Sequence, residues 1–311
     1  MTEELPKLLI LSGPTGSGKS ELAIELASLL GAEILNADSM QVYRGMDIGT
    51  AKLPMSERKG IPHHLIDIVD PDQEFNAALF RSHAFSIIDD LSMRDIPIIV
   101  VGGTGLYVKA LLGGLFTCPA SQRELRQRLW EECEAEGSTY LYERLCEADS
   151  KAAESIHPMD AIRIIRALEV VDLTGRPFSE LTEEHRFSDR RFSPLHLALF
   201  VDREVLYDRI NSRTLSMIDA GLVGEVEGLL AMGYGPELKP MKAIGYRHII
   251  GYLKGDWDLD EAVRLIQRDT RRYAKRQITW FRADQGVVWV NPDDRSEIID
   301  MVRAFGQWLD L

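Results

Sequence analysis

The feature that most constrains this chain is a complete G-x-x-x-x-G-K-S phosphate loop, Gly13-Pro14-Thr15-Gly16-Ser17-Gly18-Lys19-Ser20. An apolar strand is predicted before it, at residues 8–11, and an amphipathic helix after it, at residues 21–30. The glycines let backbone N–H groups converge on phosphate oxygens, and the helix N-terminus adds partial positive charge. Lys19 can bridge phosphates, and the Ser20 hydroxyl can hold Mg²⁺. This order of elements predicts an α/β protein built on a sheet.

Further apolar strands and helices alternate along the chain. Strands are predicted at residues 33–36, 96–101, 195–201 and 287–290, and helices at residues 76–93, 204–220 and 224–232. Apolar runs separated by helices indicate a parallel sheet that is buried on both faces. A nearly strandless stretch interrupts them, with helices predicted at residues 123–136, 139–146 and 160–173. We therefore predict a P-loop NTPase-like α/β core, residues 1–116 and 192–311, with a helical insertion domain, residues 117–191.

Composition limits where the protein works and what it binds. The net charge of −13 argues against a generally basic nucleic-acid coat protein, although it allows a local basic surface. The acidic start of the chain is unlike a signal peptide, and no apolar run reaches the roughly 18 residues of a membrane span. Cys118, Cys133 and Cys146 lack metal-ligand spacing and indicate reduced thiols. These features predict a cytoplasmic protein with no membrane segment.

The strand at residues 96–101 lacks the terminal Asp that positions Mg²⁺ in P-loop ATPases, and ends instead in Gly102-Gly103-Thr104-Gly105. A threonine between glycines suits an anion, or it simply caps a tight turn. Asp38 follows another strand, and ligands of open α/β sheets bind at the carboxyl ends of the strands. It can act as a general base, or as a turn residue that bonds its own backbone. Asp202 also ends a strand, and we predict that it caps the next helix.

Basic residues cluster on predicted helices. Arg209 and Arg213 lie one turn apart, either stabilising a departing phosphate or forming surface ion pairs. A basic stripe falls on one face of a late helix: Arg268, Arg271, Arg272, Lys275 and Arg276. Such a stripe suits a nucleic-acid backbone, unless acidic partners neutralise it. Smaller basic groups occur in the insertion, namely Arg163 with Arg166, and Arg123, Arg126 and Arg128. The adjacent histidines His63 and His64 are predicted to make structural hydrogen bonds.

Ordered motifs along nearly the whole chain resemble those of the tRNA dimethylallyltransferase (tRNA isopentenyltransferase) family. After the phosphate loop they are Asp38-Ser39-Met40-Gln41-Val42-Tyr43, continuing to Lys52, then His63-His64-Leu65-Ile66-Asp67 and Gly102-Gly103-Thr104-Gly105-Leu106-Tyr107. Later motifs are Arg163-Ile164-Ile165-Arg166-Ala167-Leu168-Glu169, Ala243-Ile244-Gly245-Tyr246 and the run from Arg271 to Phe281. A phosphate loop alone is unspecific, whereas this ordered set is specific.

The resemblance implies transfer of a dimethylallyl group from dimethylallyl diphosphate to the exocyclic amine of the adenosine 3′ to the anticodon of tRNA. The phosphate loop would hold the diphosphate with Mg²⁺, Asp38 would be the general base, and Thr104 and Arg213 would contact the leaving group. The resemblance also implies tRNA-contacting residues: Asp38, Ser39, Met40, Gln41, Thr104, Arg126, Ile162, Arg163, Ile164, Ile165, Arg166, Lys242, Ala243, Ile244, Gly245, Tyr246 and Arg247. To these the basic stripe adds Arg271, Arg272 and Lys275. The partners would be the anticodon stem-loop and the donor, and we expect a monomer.

Three alternatives remain open on the sequence. A P-loop small-molecule kinase would leave the basic stripe and the missing strand-end Asp unexplained. A nucleotide-switched RNA-binding module would leave Asp38 and Arg213 unexplained. An adenylate isopentenyltransferase, which prenylates a free nucleotide, would need neither the helical insertion nor the stripe.

Overall fold

The computed structural model describes residues 5–116, 122–185 and 187–306, with the side chain of Arg123 left out. The acidic start of the chain and Cys118 lie outside the described residues. Within these ranges six strands form one sheet: β1 (Lys7–Ser12), β2 (Glu33–Asn36), β3 (His63–His64), β4 (Ile98–Gly102), β5 (Ser193–Leu199) and β6 (Val287–Val290). They pair in the order β3-β2-β4-β1-β5-β6, and every pairing is parallel. The predicted parallel α/β fold is confirmed.

Helices connect the strands. Before β5 they are α1 (Lys19–Leu30), α2 (Ala77–Met93), α3 (Gly105–Gly113), α4 (Arg123–Glu136), α5 (Ser138–Ala148), α6 (Ser150–Ser155), α7 (Ala161–Thr174) and α8 (Phe178–His185). After β5 they are α9 (Arg203–Asp219), α10 (Leu222–Ala231), α11 (Tyr246–Lys254), α12 (Leu259–Arg282) and α13 (Arg295–Phe305). Within the described ranges, none of these helices is both long and apolar enough to cross a bilayer.

The sheet carries an apolar layer on each face. In β1, Leu8 and Ile10 belong to one buried cluster, whereas Leu9 and Leu11 belong to the other. Because side chains alternate along a strand, a strand buried on both faces is apolar at every position. The uninterrupted apolar runs of the sequence therefore predicted strands at the centre of the sheet.

The chain divides into two compact units, one comprising residues 1–112 and 191–311 and the other Gly113–Arg190. The boundaries that we predicted from the sequence were residues 116 and 192. The second unit has its own buried cluster, in which Leu129, Leu141 and Leu168 are prominent. Each unit therefore contains an apolar core of its own.

Several short elements were missing from the sequence prediction. Strand β3 has two residues, and helices α6 and α8 have six and eight. Such lengths give too few repeats for a hydrophobic period to be recognised. The histidines of β3 make the predicted structural hydrogen bonds, from His63 Nδ1 to the Ile61 carbonyl (2.8 Å) and from His64 Nε2 to Glu33 (2.6 Å).

Candidate active site

The phosphate loop lies at the carboxyl end of β1 and leads directly into α1. Gly16 and Gly18 have φ values of 84° and 88°, which residues with a Cβ rarely adopt. Gly18 is also the N-cap residue of α1, so the loop ends on the helix N-terminus. The glycine spacing in the sequence thus corresponds to the backbone conformation that a phosphate cradle requires.

Asp38 comes beside this loop because two strand ends pack closely together. A Cβ on Gly102, at the end of β4, would lie 2.2 Å from the Ala37 carbonyl oxygen, so only glycine allows this approach. The backbone N–H of Met40 donates to Asp38 Oδ1 (2.8 Å), and that of Ser39 donates to Thr104 Oγ1 (3.0 Å). Asp38 is therefore a turn residue whose carboxylate also faces a cavity, and Thr104 fixes the same turn.

An open cavity of about 300 Å³, the loop cavity, lies at the phosphate loop, and it is lined by part of the set predicted to hold a diphosphate; its lining does not include Gly13, Pro14, Ser17 or Thr104. Its lining includes Thr15, Gly16, Gly18, Lys19, Ser20, Asp38, Arg209 and Arg213. Lys19 Nζ donates to the Pro14 carbonyl (2.7 Å), and Arg213 donates to the Thr15 hydroxyl. The structure thus brings together Lys19, Asp38 and Arg213, which are far apart in the sequence.

Burial of the cations shapes the electrostatics of this cavity. It lowers the pKa of Lys19 to about 8, against the opposing charge of Asp38 and with a further lowering by Arg213. Burial also lowers the pKa of Arg213, while Asp38 raises it. Three cations, Lys19, Arg209 and Arg213, and two carboxylates, Glu21 and Asp38, line the cavity, and this excess of positive charge favours an anionic ligand.

Gln277 of α12 is a part of this site that sequence reasoning missed. Its Oε1 accepts the backbone N–H of Thr15 (2.9 Å), and its Nε2 donates to the Gly103 carbonyl (2.9 Å). The side chain is buried, so one amide joins the phosphate loop to the end of β4. In the sequence, the one signal for this contact was an uncharged polar residue, Gln277, within the highly charged helix α12.

A second cavity of about 330 Å³ adjoins the first. Both are lined by Thr15, Asp38, Thr50, Ala51, Arg213 and Tyr273. The remaining lining of this adjoining cavity is largely apolar and includes Met40, Met217, Ile244, Tyr246 and Ile266. A polar chamber at the phosphate loop thus meets a more apolar one at Asp38 and Arg213.

The predicted tRNA-contacting residues near α11 and α12 differ in their surroundings. Ala243, Ile244, Gly245 and Arg247 line the adjoining cavity, whereas Lys242 is exposed at the end of a 3₁₀ turn. Tyr246 also lines that cavity, although most of its side chain is buried and its hydroxyl donates to Glu225 (2.6 Å). Its contact with tRNA stays a prediction.

The residues of the basic stripe on α12 have different surroundings, and some of them are bonded to acidic or polar side chains. Asp269 accepts from Arg268 (2.8 Å) and Arg247 (2.6 Å), and Arg272 lies 3.6 Å from it. Although burial alone would raise the pKa of Asp269, hydrogen bonds from Arg268 and Arg247 lower it. The remaining members are Arg271, which donates to Asn211 (2.5 Å), Lys275, which is exposed, and Arg276, which lines the adjoining cavity.

In the second unit, the predicted tRNA-contacting segment lies at the start of α7. Ile162 and Arg163 are exposed there. The side chains of Ile164 and Ile165 are 0% and 2% exposed within the unit's core, so neither is open to tRNA in this structure. Both positions follow the helical period, which turns them inward. Arg126 and Arg166 both donate to the buried carboxylate of Glu169, each at 2.8 Å.

The fold and this site define a class of protein. A parallel sheet whose first strand runs through a glycine-rich loop into a helix, with cations around the loop, is the architecture of P-loop phosphate-binding proteins.

Asp202 is the helix cap that the sequence predicted, since its side chain accepts the backbone N–H of Glu204.

Comparisons with known proteins narrow this class. The IPP transferase family profile matches residues 41–284, and an isopentenyl transferase profile matches residues 6–67. A tRNA dimethylallyltransferase of Geobacter metallireducens is 51% identical over 304 residues, covering 97% of this chain and 98% of that protein. One from Geobacter sulfurreducens is 52% identical over 284 residues, 91% of each chain.

Solved structures agree with the profiles. The tRNA isopentenylpyrophosphate transferase of Bacillus halodurans gives a TM-score of 0.72 at 38% identity, over 96% of both chains. A eukaryotic dimethylallyltransferase acting on tRNA gives a TM-score of 0.80 at 30% identity, over 96% of this chain and 77% of that one. The chain belongs to the tRNA dimethylallyltransferase family.

Proposed function

We propose that this protein transfers a dimethylallyl group from dimethylallyl diphosphate to the exocyclic amine of the adenosine 3′ to the anticodon in tRNA, with release of diphosphate. The observation that carries the proposal is the pair of joined cavities, with Asp38 and Arg213 at their junction. The polar cavity suits the diphosphate and the apolar one suits the allyl group and the base. The names of the relatives support tRNA as the acceptor.

In this reaction the amine nitrogen bonds to the allylic carbon while the bond from that carbon to the diphosphate oxygen breaks. Asp38 takes the proton that the amine loses. The cations Lys19 and Arg213 and the N–H groups of the loop stabilise the negative charge that develops on the diphosphate. Thr104 acts here by holding the turn that carries Asp38, through its bond from the Ser39 N–H.

Mg²⁺ fits the oxygen chemistry of the loop cavity. The Ser20 hydroxyl and the Asp38 carboxylate both line it, and oxygen ligands are those that Mg²⁺ prefers. We propose Ser20 as the protein ligand, with diphosphate oxygens supplying others. The bound ion would neutralise part of the diphosphate charge.

For tRNA we propose recognition of the anticodon stem-loop by Arg247, Lys242, the basic stripe and the exposed start of α7. The target adenine must leave its stack to reach Asp38. Ser39, Met40 and Ala243 to Gly245 line the adjoining cavity that such a base would enter, and Gln41 lines the loop cavity beside it. We expect a monomer, and a location in the cytoplasm, where tRNA is found.

The decisive experiment supplies the protein with labelled dimethylallyl diphosphate, Mg²⁺ and either tRNA or free AMP. We expect label in tRNA, at the adenosine beside the anticodon, without any need for ATP. Label in AMP alone would support an adenylate isopentenyltransferase instead. A requirement for ATP would support a kinase-like reaction.

A further inference from the structure

Glu225 in α10 makes an unusual set of contacts with a distant loop. Its carboxylate accepts three successive backbone N–H groups, those of Asp47 (2.9 Å), Ile48 (2.7 Å) and Gly49 (3.1 Å). It also accepts the hydroxyl of Tyr246 (2.6 Å), at the start of α11. One side chain therefore joins three separate segments of the α/β unit.

The segments that Glu225 joins form a wall of the substrate cavities. Gly49 and Tyr246 line the adjoining cavity, while Thr50 and Ala51, which follow Gly49, line both cavities. Gln41 Nε2 donates to the Thr50 carbonyl (3.1 Å), which connects this wall to the turn that carries Asp38. The position of the wall thus bears on the position of the general base.

The wall is also tightly packed. A Cβ on Gly49 would lie 2.5 Å from a ring carbon of Tyr246, so the loop backbone rests directly on the aromatic ring. Burial, and then the charge of Glu225, raise the pKa of Tyr246, so its hydroxyl keeps the proton that it donates. The loop and the ring are each fixed against the other and against the same carboxylate.

Four donors on one side chain require an ionised carboxylate, which offers acceptors on both oxygens. A glutamine of the same size would turn an NH₂ group towards at least one backbone N–H. That N–H would then lose its acceptor, and the loop would have to move to find another.

We infer that Glu225 is a positioning residue for the transfer reaction, acting through residues 47–51 and Tyr246. This inference rests on the proposed function, because the wall matters only if a substrate fills the cavities. Glu225 contacts the wall from the side of α10, and the described linings of the two cavities do not include it. Its effect is therefore on the orientation of the reacting groups rather than on their chemistry.

The test compares Glu225→Gln with Glu227→Gln, an exposed position on the same helix. With saturating tRNA and dimethylallyl diphosphate, we expect Glu225→Gln to slow single-turnover transfer roughly 10- to 100-fold, the effect of a misplacement near 1 Å. The tRNA dissociation constant should stay within about threefold, since phosphate contacts elsewhere set it. Glu227→Gln should behave as the original protein. A normal rate for Glu225→Gln would overturn the inference, as would equal losses in rate and in the number of active tRNA-binding sites.

Gly49→Ala tests the same wall without altering the carboxylate. The added methyl group should push the loop away from the Tyr246 ring and reproduce the selective loss of rate. If Gly49→Ala transfers at the normal rate, the position of the wall does not control the reaction and the inference is wrong. If the unaltered protein transfers no label to tRNA, the proposed function has failed instead.

Discussion

The phosphate-loop end of the sheet and the basic stripe on α12 both present positive charge, but they hold it differently. Lys19 and Arg213 share one cavity with Asp38, where burial lowers the pKa of both cations. On α12, Arg272 has a side chain that is 64% exposed, and Lys275 is also exposed. Charges in a desolvated cavity interact strongly and at fixed distances, whereas exposed charges are screened by salt.

Because of this difference, we expect the first region to control the rate of transfer and the second to control the affinity for tRNA. Fixed charges in the cavity can stabilise a leaving diphosphate in the transition state. Exposed charges on a helix instead add to the attraction of a nucleic-acid backbone, which depends on salt. Changes at the first region should alter the rate or donor binding, and changes at the second should alter tRNA binding.

The largest effect is expected at Asp38. Replacing it with Ala should reduce transfer by roughly 10²–10⁴-fold, the range for a general base, with tRNA binding nearly normal. Asp38→Asn is the sharper variant, because its amide oxygen can still accept the Met40 N–H while the base is lost. Single-turnover rates and tRNA dissociation constants give the answer. Near-normal transfer by Asp38→Asn would reduce Asp38 to a turn residue.

Donor binding should weaken above about pH 8. Free Lys19 loses its proton around this pH, while the bound diphosphate favours the charged amine. The apparent dissociation constant should therefore rise with pH, by up to roughly tenfold for each unit above the pKa of the free site. Titration calorimetry at pH 7, 8 and 9 in two buffers would show the change in affinity and proton uptake. Lys19→Arg, which stays charged, serves as the control, and a pH-independent affinity in the original protein would contradict the assignment.

A change at Gln277 would test whether α12 contributes to donor binding in the loop cavity. Gln277→Leu leaves the Thr15 N–H and the Gly103 carbonyl without their partner, and should weaken donor binding about tenfold, or ~1.4 kcal/mol. Gln267→Leu is the matched control, since Gln267 lies on the same helix and donates to the Asn211 carbonyl (3.2 Å) instead. The KM for the donor and the tRNA dissociation constant should be measured together. A loss confined to tRNA binding would place Gln277 with the basic stripe.

The smallest effects are expected from single charges of the stripe. Replacing Arg272 or Lys275 with Ala should weaken tRNA binding several-fold and lower the slope of log K against log salt by about 1. Arg271→Ala should do less, because Arg271 is already bonded to Asn211 and lies over the Tyr207 ring. Arg264→Ala, which breaks an ion pair with Glu261 on the same helix, is the control.

Salt titrations of tRNA binding, with donor affinity measured in parallel, would check this pattern. The triple change of Arg271, Arg272 and Lys275 should add the three effects. A fall in donor affinity with tRNA binding intact would show that the stripe belongs to the small-molecule site.

Local patterns predicted well wherever neighbouring residues determine the conformation. The phosphate loop and the Asp202 cap each depend on a few adjacent residues, and both were predicted from the sequence. The apolar runs gave β1 and β4 because those strands are buried on both faces. The resemblance by itself did not show which single side chains are buried. Ile164 and Ile165 are part of the matching motif, yet the helical period places them in the core.

The conformation of the phosphate loop, the parallel sheet and the family could all be predicted from the sequence, because they depend on short-range conformation and on ordered motifs. Which distant groups meet became visible only in the folded chain. Gln277 reaches Thr15 across 262 positions, and Glu225 reaches Gly49 across 176. No local rule encodes such contacts, because they depend on how whole helices pack against the sheet. The same packing decides which arginines find a carboxylate and which stay open to solvent.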